Sequence, residues 1–69
     1  MKAWVYVDGY AKVEADFPEL PRMGDEISIK SMTDSFGTKY IVDYVQHEIR
    51  HGDLTTKVTI NIYTKEVPL

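Results

Sequence analysis

Thr38-Lys39-Tyr40-Ile41-Val42-Asp43-Tyr44-Val45-Gln46-His47-Glu48-Ile49-Arg50 is the stretch on which the fold turns. Read with a helical period, Ile41, Val42, Val45 and Ile49 gather into one stripe, and Gly52 stands where a helix would be capped. Read with a period of two, the alternation breaks between Val42 and Val45, and a bulge is needed to repair it. Content pulls toward the strand. Tyr40, Ile41, Val42, Tyr44 and Val45 crowd the centre, and neither Ala nor Leu occurs. β-Branched and aromatic side chains suit a pleated surface, whereas Ala and Leu lead the helix scale. His51-Gly52-Asp53 can close a hairpin onto the residues that follow.

Outward from this stretch the pattern is plainer. From Leu54 to Tyr63, Thr56, Val58, Ile60 and Ile62 face one way, and Lys57, Thr59, Asn61 and Tyr63 the other. Toward the N-terminus, Ala3, Val5 and Val7 oppose Lys2, Trp4 and Tyr6. Ala11, Val13, Ala15 and Phe17 oppose Tyr10, Lys12, Glu14 and Asp16. Asp8-Gly9 between the two runs is a hairpin signal, since Gly takes positive φ without strain; one long strand bulged at Gly9 is the alternative. Pro18 to Asp25 reads as a loop, because two prolines remove ladder donors and Gly24 supplies a turn. Glu26 to Lys30 is a short strand with Ile27 and Ile29 inward. A turn, with a short helical turn near 31–37, follows it, and the tail from Lys65 to Leu69 reads as frayed.

Leu20-Pro21-Arg22-Met23-Gly24-Asp25-Glu26-Ile27, then Tyr40-x-Val42-x-x-Val45-x-His47, then Val58-x-Ile60-x-Ile62, resembles a pattern in short bacterial and phage proteins built as small β-barrels of the SH3-like kind. The resemblance covers about two-thirds of the chain and rests on generic barrel features. It implies a fold in which the Tyr-x-Val-x-x-Val segment is a bulged strand, and it implies no activity. The expected fold is therefore all-β, a single domain over 1–69 forming a small five-stranded antiparallel barrel, SH3-like or OB-like. An α+β fold with a helix at about 38–51 is the alternative.

Composition narrows function mainly by exclusion. The chain has 69 residues, no cysteine and a net charge of −3. Disulfides, thiolate metal sites and cysteine nucleophiles are ruled out, and a basic footprint for nucleic acid or anionic lipid is missing. A domain of this size buries only roughly 60% of the surface its unfolded chain exposes, which leaves little to wall a deep pocket. No run is long and apolar enough for a membrane span, and Met1-Lys2-Ala3-Trp4 lacks the apolar stretch of a signal peptide. The expectation is a cytoplasmic protein without a cofactor.

His47-Glu48-Ile49-Arg50-His51 matches the H-E-x-x-H pattern of zinc peptidases. There, two histidines one helical turn apart reach one metal, and the glutamate serves the bound water as general base. On a strand, positions four apart lie about 13 Å from each other, too far to share an ion. No further histidine follows in Gly52-Asp53-Leu54-Thr55-Thr56. A zinc hydrolase using His47 and His51 is thus the remote alternative, and two surface histidines at a hairpin end are the expectation. The aspartates mostly neighbour turns, where they accept local backbone hydrogen bonds, and no D-x-D-x-D-G calcium loop occurs.

Trp4, Tyr6, Tyr10 and Tyr63 all fall on the polar faces of their strands, with Lys2, Lys12 and Lys57 on the same sides. Trp4, Tyr6, Tyr10, Lys57 and Tyr63 are accordingly the candidate binding face. The leading expectation is a non-enzymatic interaction module that binds another protein or itself through this face or a sheet edge. The alternative is a small barrel that stacks single-stranded nucleic acid on the rings. Glu14 and Asp16, continuing the same face, weigh against it.

Overall fold

The computed structural model describes residues 1–7, 11–30 and 37–67, and there is no helix among them. Five strands follow one another: β1 (Lys2–Val7), β2 (Ala11–Asp16), β3 (Glu26–Ile29), β4 (Thr38–His51) and β5 (Thr56–Glu66). They form one sheet in the order β2-β1-β5-β4-β3. The contested stretch is the long strand β4, and its break in alternation is a real bulge. Val42 pairs with Thr64 and Tyr44 with Tyr63, so Asp43 is the extra residue. The bulge lets Val42 and Val45 both face the core although they stand three positions apart.

Three of the four pairings are antiparallel. β1 and β5 run parallel, with Val5 beside Ile62, so the sheet is mixed rather than wholly antiparallel. Parallel neighbours need a long crossover; here β2, β3 and β4 provide it. The tail is ordered further than the sequence pattern implies. β5 runs on through Lys65 and Glu66, and the Val67 N–H donates to the Lys39 carbonyl at 2.9 Å. β1 and β2 pair as the alternation requires, from Lys2–Asp16 to Val7–Ala11. The conformation at Asp8-Gly9 and the helical turn near 31–37 fall largely outside the described residues.

The core face follows from the registers. Val13, Val5, Ile62 and Val45 form one row across β2, β1, β5 and β4. Ala3, Val5, Val42 and Ile62 are fully enclosed, with Val7, Ala15, Phe17, Leu20, Ile27 and Val45 packed around them. Buried Thr64 also lies on this side; its hydroxyl donates to the Tyr6 carbonyl at 2.8 Å, which satisfies it. The sheet curls into a half-barrel. Val13 and Ala15 of edge strand β2 and Ile27 and Ile29 of edge strand β3 line one cleft of about 290 Å³, with Val5 between them.

The loop from Phe17 to Asp25 ties this curl together. Gly24 sits at φ +91°, a conformation that side chains resist, and nothing crowds the position. That turn aims the Gly24 N–H at the Val42 carbonyl (2.9 Å) and the Asp25 carbonyl at the Val42 N–H (2.9 Å), so the loop docks on β4 just before the bulge.

β4 and β5 are longer than their neighbours. β3 reaches only Thr38–Ile41 of β4, and β1 reaches only Asn61–Thr64 of β5. From about Glu48 and Thr59 outward the two strands run on as a two-stranded arm, and the molecule measures 47 × 24 × 24 Å. The core face continues along the arm as Ile49 opposite Val58, with no third strand paired beside either residue among the described residues.

Candidate interaction face

The outer face of the half-barrel collects Trp4, Tyr6, Tyr44 and Tyr63 because the pleat alternates and the registers align. Tyr6 lies opposite Lys12 on one side and Tyr63 on the other, and Tyr63 lies opposite Tyr44. The rings stack at the spacing of the strands beneath them. The centroids of Tyr6 and Tyr63 are 4.7 Å apart with planes at 13°, and those of Tyr63 and Tyr44 are 4.6 Å apart at 19°. Neighbouring strands lie about 4.7–4.9 Å apart, so equal rotamers on directly opposed residues bring the rings face to face. Each such pair contributes on the order of 0.5–1.5 kcal/mol beyond its buried area.

A second row, Glu14, Trp4, Asn61 and Gln46, runs beside the first. Lys12 reaches diagonally to place its ammonium 4.7 Å from the Trp4 ring centre, a cation–π contact. Asn61 is buried beneath this face. Its Nδ2 donates to Gln46 Oε1 at 3.1 Å, and the Tyr63 hydroxyl donates more loosely to the same oxygen at 3.4 Å. Burial within the stack pushes the Tyr63 phenol above its ordinary value, and the neighbouring Tyr6, Tyr44 and Glu48 push it the same way.

Of the residues expected on this face, Trp4, Tyr6 and Tyr63 come together. Tyr10 lies outside the described residues. Lys57 shares the face but not the site: it pairs with Arg50 on the arm, six residues and about 20 Å along β5 from Tyr63. Tyr44 is a member that strict alternation hides, because the bulge at Asp43 resets which residues of β4 point outward. Its signal was the three-residue step from Val42 to Val45, which forces Tyr44 away from the core.

The H-E-x-x-H residues lie on β4, so they cannot form the helical zinc site. His47 is opposite Ile60 and His51 opposite Thr56, on the same side of one strand and about 13 Å apart. His51 Nδ1 is 3.2 Å from Thr56 Oγ1. Among the described residues no three His, Asp or Glu side chains gather to hold a metal ion, and no helix is long and apolar enough to cross a membrane.

One further hollow borders the face. Leu20, Pro21 and Met23 of the docked loop stand across from Tyr44, Val45 and His47, and between them lies an open cleft of about 530 Å³. No protein-family model, curated protein or solved structure matches this chain.

Proposed function

We propose that the chain is a non-enzymatic interaction module, cytoplasmic and built on an SH3-like kind of small barrel, that binds a protein through its outer aromatic face. The observation that carries this reading is the Tyr6–Tyr63–Tyr44 stack with Trp4 and Lys12 beside it, on a sheet surface with no other element over it among the described residues. Stacked rings held by strands are rigid and cost little entropy to bind. Tyrosine and tryptophan dominate protein interfaces because they combine apolar area with a polar tip. The bulged Tyr-x-Val-x-x-Val strand supports the barrel kinship.

Stacked rings also suit the bases of a single strand, which makes nucleic-acid binding the second reading. Charge disfavours it: Glu14 stands in the same row as Trp4, Glu48 lies further along the same face and opposes ionisation of Tyr63, and the net charge is −3. Tyr44→Ala and Trp4→Ala separate the two. A protein retained from host lysate by the wild type and lost by both variants, with unchanged circular dichroism, supports the protein reading. Salt-sensitive quenching of Trp4 fluorescence by a single-stranded oligonucleotide, with no such protein retained, replaces it with the nucleic-acid reading.

A further inference from the structure

We propose that the bare outer edge of β4 pairs antiparallel with the same edge of a second copy of this chain, in a register centred on Ile49. The inference rests on the reading of the chain as an interaction module, but its contact is the backbone edge of the arm, beyond the stacked rings.

The edge is long, and beyond the open cleft that separates the loop from Tyr44, Val45 and His47 nothing covers it among the described residues. β3 covers β4 only to Ile41, and the loop at Gly24 and Asp25 takes up the backbone of Val42. From Asp43 to His51 no strand lies along the outer side of β4 among the described residues. Natural sheets blunt such an edge with charged side chains, lysine above all, with proline, bulges or brevity; past the bulge at Asp43 the charges on this edge are Glu48 and Arg50, which are of opposite sign. β3 is four residues long and β2 carries Lys12, whereas Asp43 to His51 contains neither lysine nor proline.

His47-Glu48-Ile49-Arg50-His51 is complementary to itself when reversed. With Ile49 opposite Ile49 of the second copy, Glu48 faces the partner's Arg50, and Arg50 faces the partner's Glu48. Within one chain Arg50 Nε already lies 2.7 Å from Glu48 Oε1. Pairing two such edges therefore closes a square of four alternating charges, in which every side is an attraction. Shifting the centre by one residue sets Glu48 against Glu48 or Arg50 against Arg50, and like charges directly opposed destabilise a sheet. Lys57, opposite Arg50 on β5, sets a second cation beside each arginine, and the partner's Glu48 on the arginine's other side offsets that repulsion.

The other side of the arm agrees with this register. Ile49 and Val58 are 66% and 61% exposed although they continue the core face. Edge pairing joins them into one apolar row, Val58–Ile49–Ile49–Val58, across a four-stranded ribbon. An isolated two-stranded ribbon is marginal in water, and added strands stabilise it. The same register sets Asp53 level with Val45 of the second copy. That brings Leu54, 97% exposed at the arm's tip, to the mouth of the apolar cleft between Met23 and Val45. The H-E-x-x-H spelling thus becomes a symmetric contact instead of a metal site.

Solution mass by light scattering at low salt tests the pairing, with circular dichroism and thermal melting confirming that each variant is folded. The wild type is expected at twice the chain mass of 8.0 kDa. Glu48→Lys alone and Arg50→Glu alone are each expected at the monomer mass, with dimer affinity reduced at least tenfold. An equal mixture of the two single variants recovers the dimer, because the introduced lysine meets the introduced glutamate and Arg50 meets Glu48. The chain carrying both substitutions also recovers it. A monomeric wild type at millimolar concentration, single variants that dimerise as tightly as wild type, or a mixture that stays monomeric each overturns the inference. A mass that falls with Trp4→Ala and Tyr44→Ala but not with the charge variants also overturns it, while leaving the aromatic face as the interaction site.

Discussion

Ile62 and Val58 lie on the same face of β5, four residues apart, yet Ile62 is 0% exposed and Val58 is 61% exposed. On β4, Val42 is enclosed and Ile49 bare in the same way. The inner halves of these strands are flanked by β1 and β3 and roofed by the curl of the sheet and the loop at Leu20. Among the described residues the outer halves pair only with each other. A hydrophobic face written along a strand thus does two jobs, and its neighbours decide which. Where they end, the core face becomes an available surface.

The largest expected effect separates the two halves. Ile62→Ala removes a fully enclosed side chain at the centre of the row Val13–Val5–Ile62–Val45, and core truncations of this kind cost roughly 2–5 kcal/mol. Val58→Ala is expected to change stability by no more than about 0.5 kcal/mol, as exposed positions do. Urea unfolding in the Arg50→Glu background, where association is suppressed, reads both. Equal losses at the two positions would mean that the arm is packed within a single chain, and the contrast would fail.

A smaller contrast runs along the same strand face. Thr64→Val keeps the shape of a buried side chain but takes the hydroxyl from the Tyr6 carbonyl, at a cost of roughly 1 kcal/mol. Thr56→Val loses only an exposed contact with His51 and is expected to fall within about 0.5 kcal/mol of wild type. Denaturation midpoints of the two variants measure the difference, and a Thr64→Val protein as stable as wild type would remove the hydroxyl from the account.

Period-two alternation was enough to place both faces of β1, β2 and β5, whereas the step from Val42 to Val45 fits a helix as well and demands a bulge only once residue content and the barrel resemblance favour a strand. These are local signals, because a pleat is a property of consecutive residues. The parallel pairing of β1 with β5 was not legible, since it joins residues nearly sixty positions apart and no turn chemistry announces it. Nor was the arm legible. Lys57 looked like a neighbour of Tyr63 by parity alone, and parity says which face a residue is on without saying how far along the strand. Tyr44 was missed for the converse reason, because one extra residue at Asp43 changes the parity of everything after it. The H-E-x-x-H letters could be discounted on spacing once the stretch was read as a strand: four residues are one turn of a helix but about 13 Å of strand.

The most delicate difference between the halves is electrostatic. On the inner half Tyr63 is sandwiched between Tyr6 and Tyr44, and burial, then those neighbours and Glu48, hold its phenol above the ordinary value of 10.0. The folded state therefore favours the neutral ring. The stabilisation is fully present below the ordinary value. As pH rises past about 10 the unfolded chain ionises first, so stability falls until the folded ring ionises too. Tyr63→Phe lacks this limb. At neutral pH the variant loses only the long 3.4 Å contact to Gln46 and should be nearly as stable as wild type. Between about pH 9 and 11 wild type should lose stability faster than Tyr63→Phe, the other tyrosines titrating in both. Urea midpoints across that range decide it: a constant offset between the two proteins would mean that the central ring of the stack is no more shielded from water than an ordinary surface tyrosine.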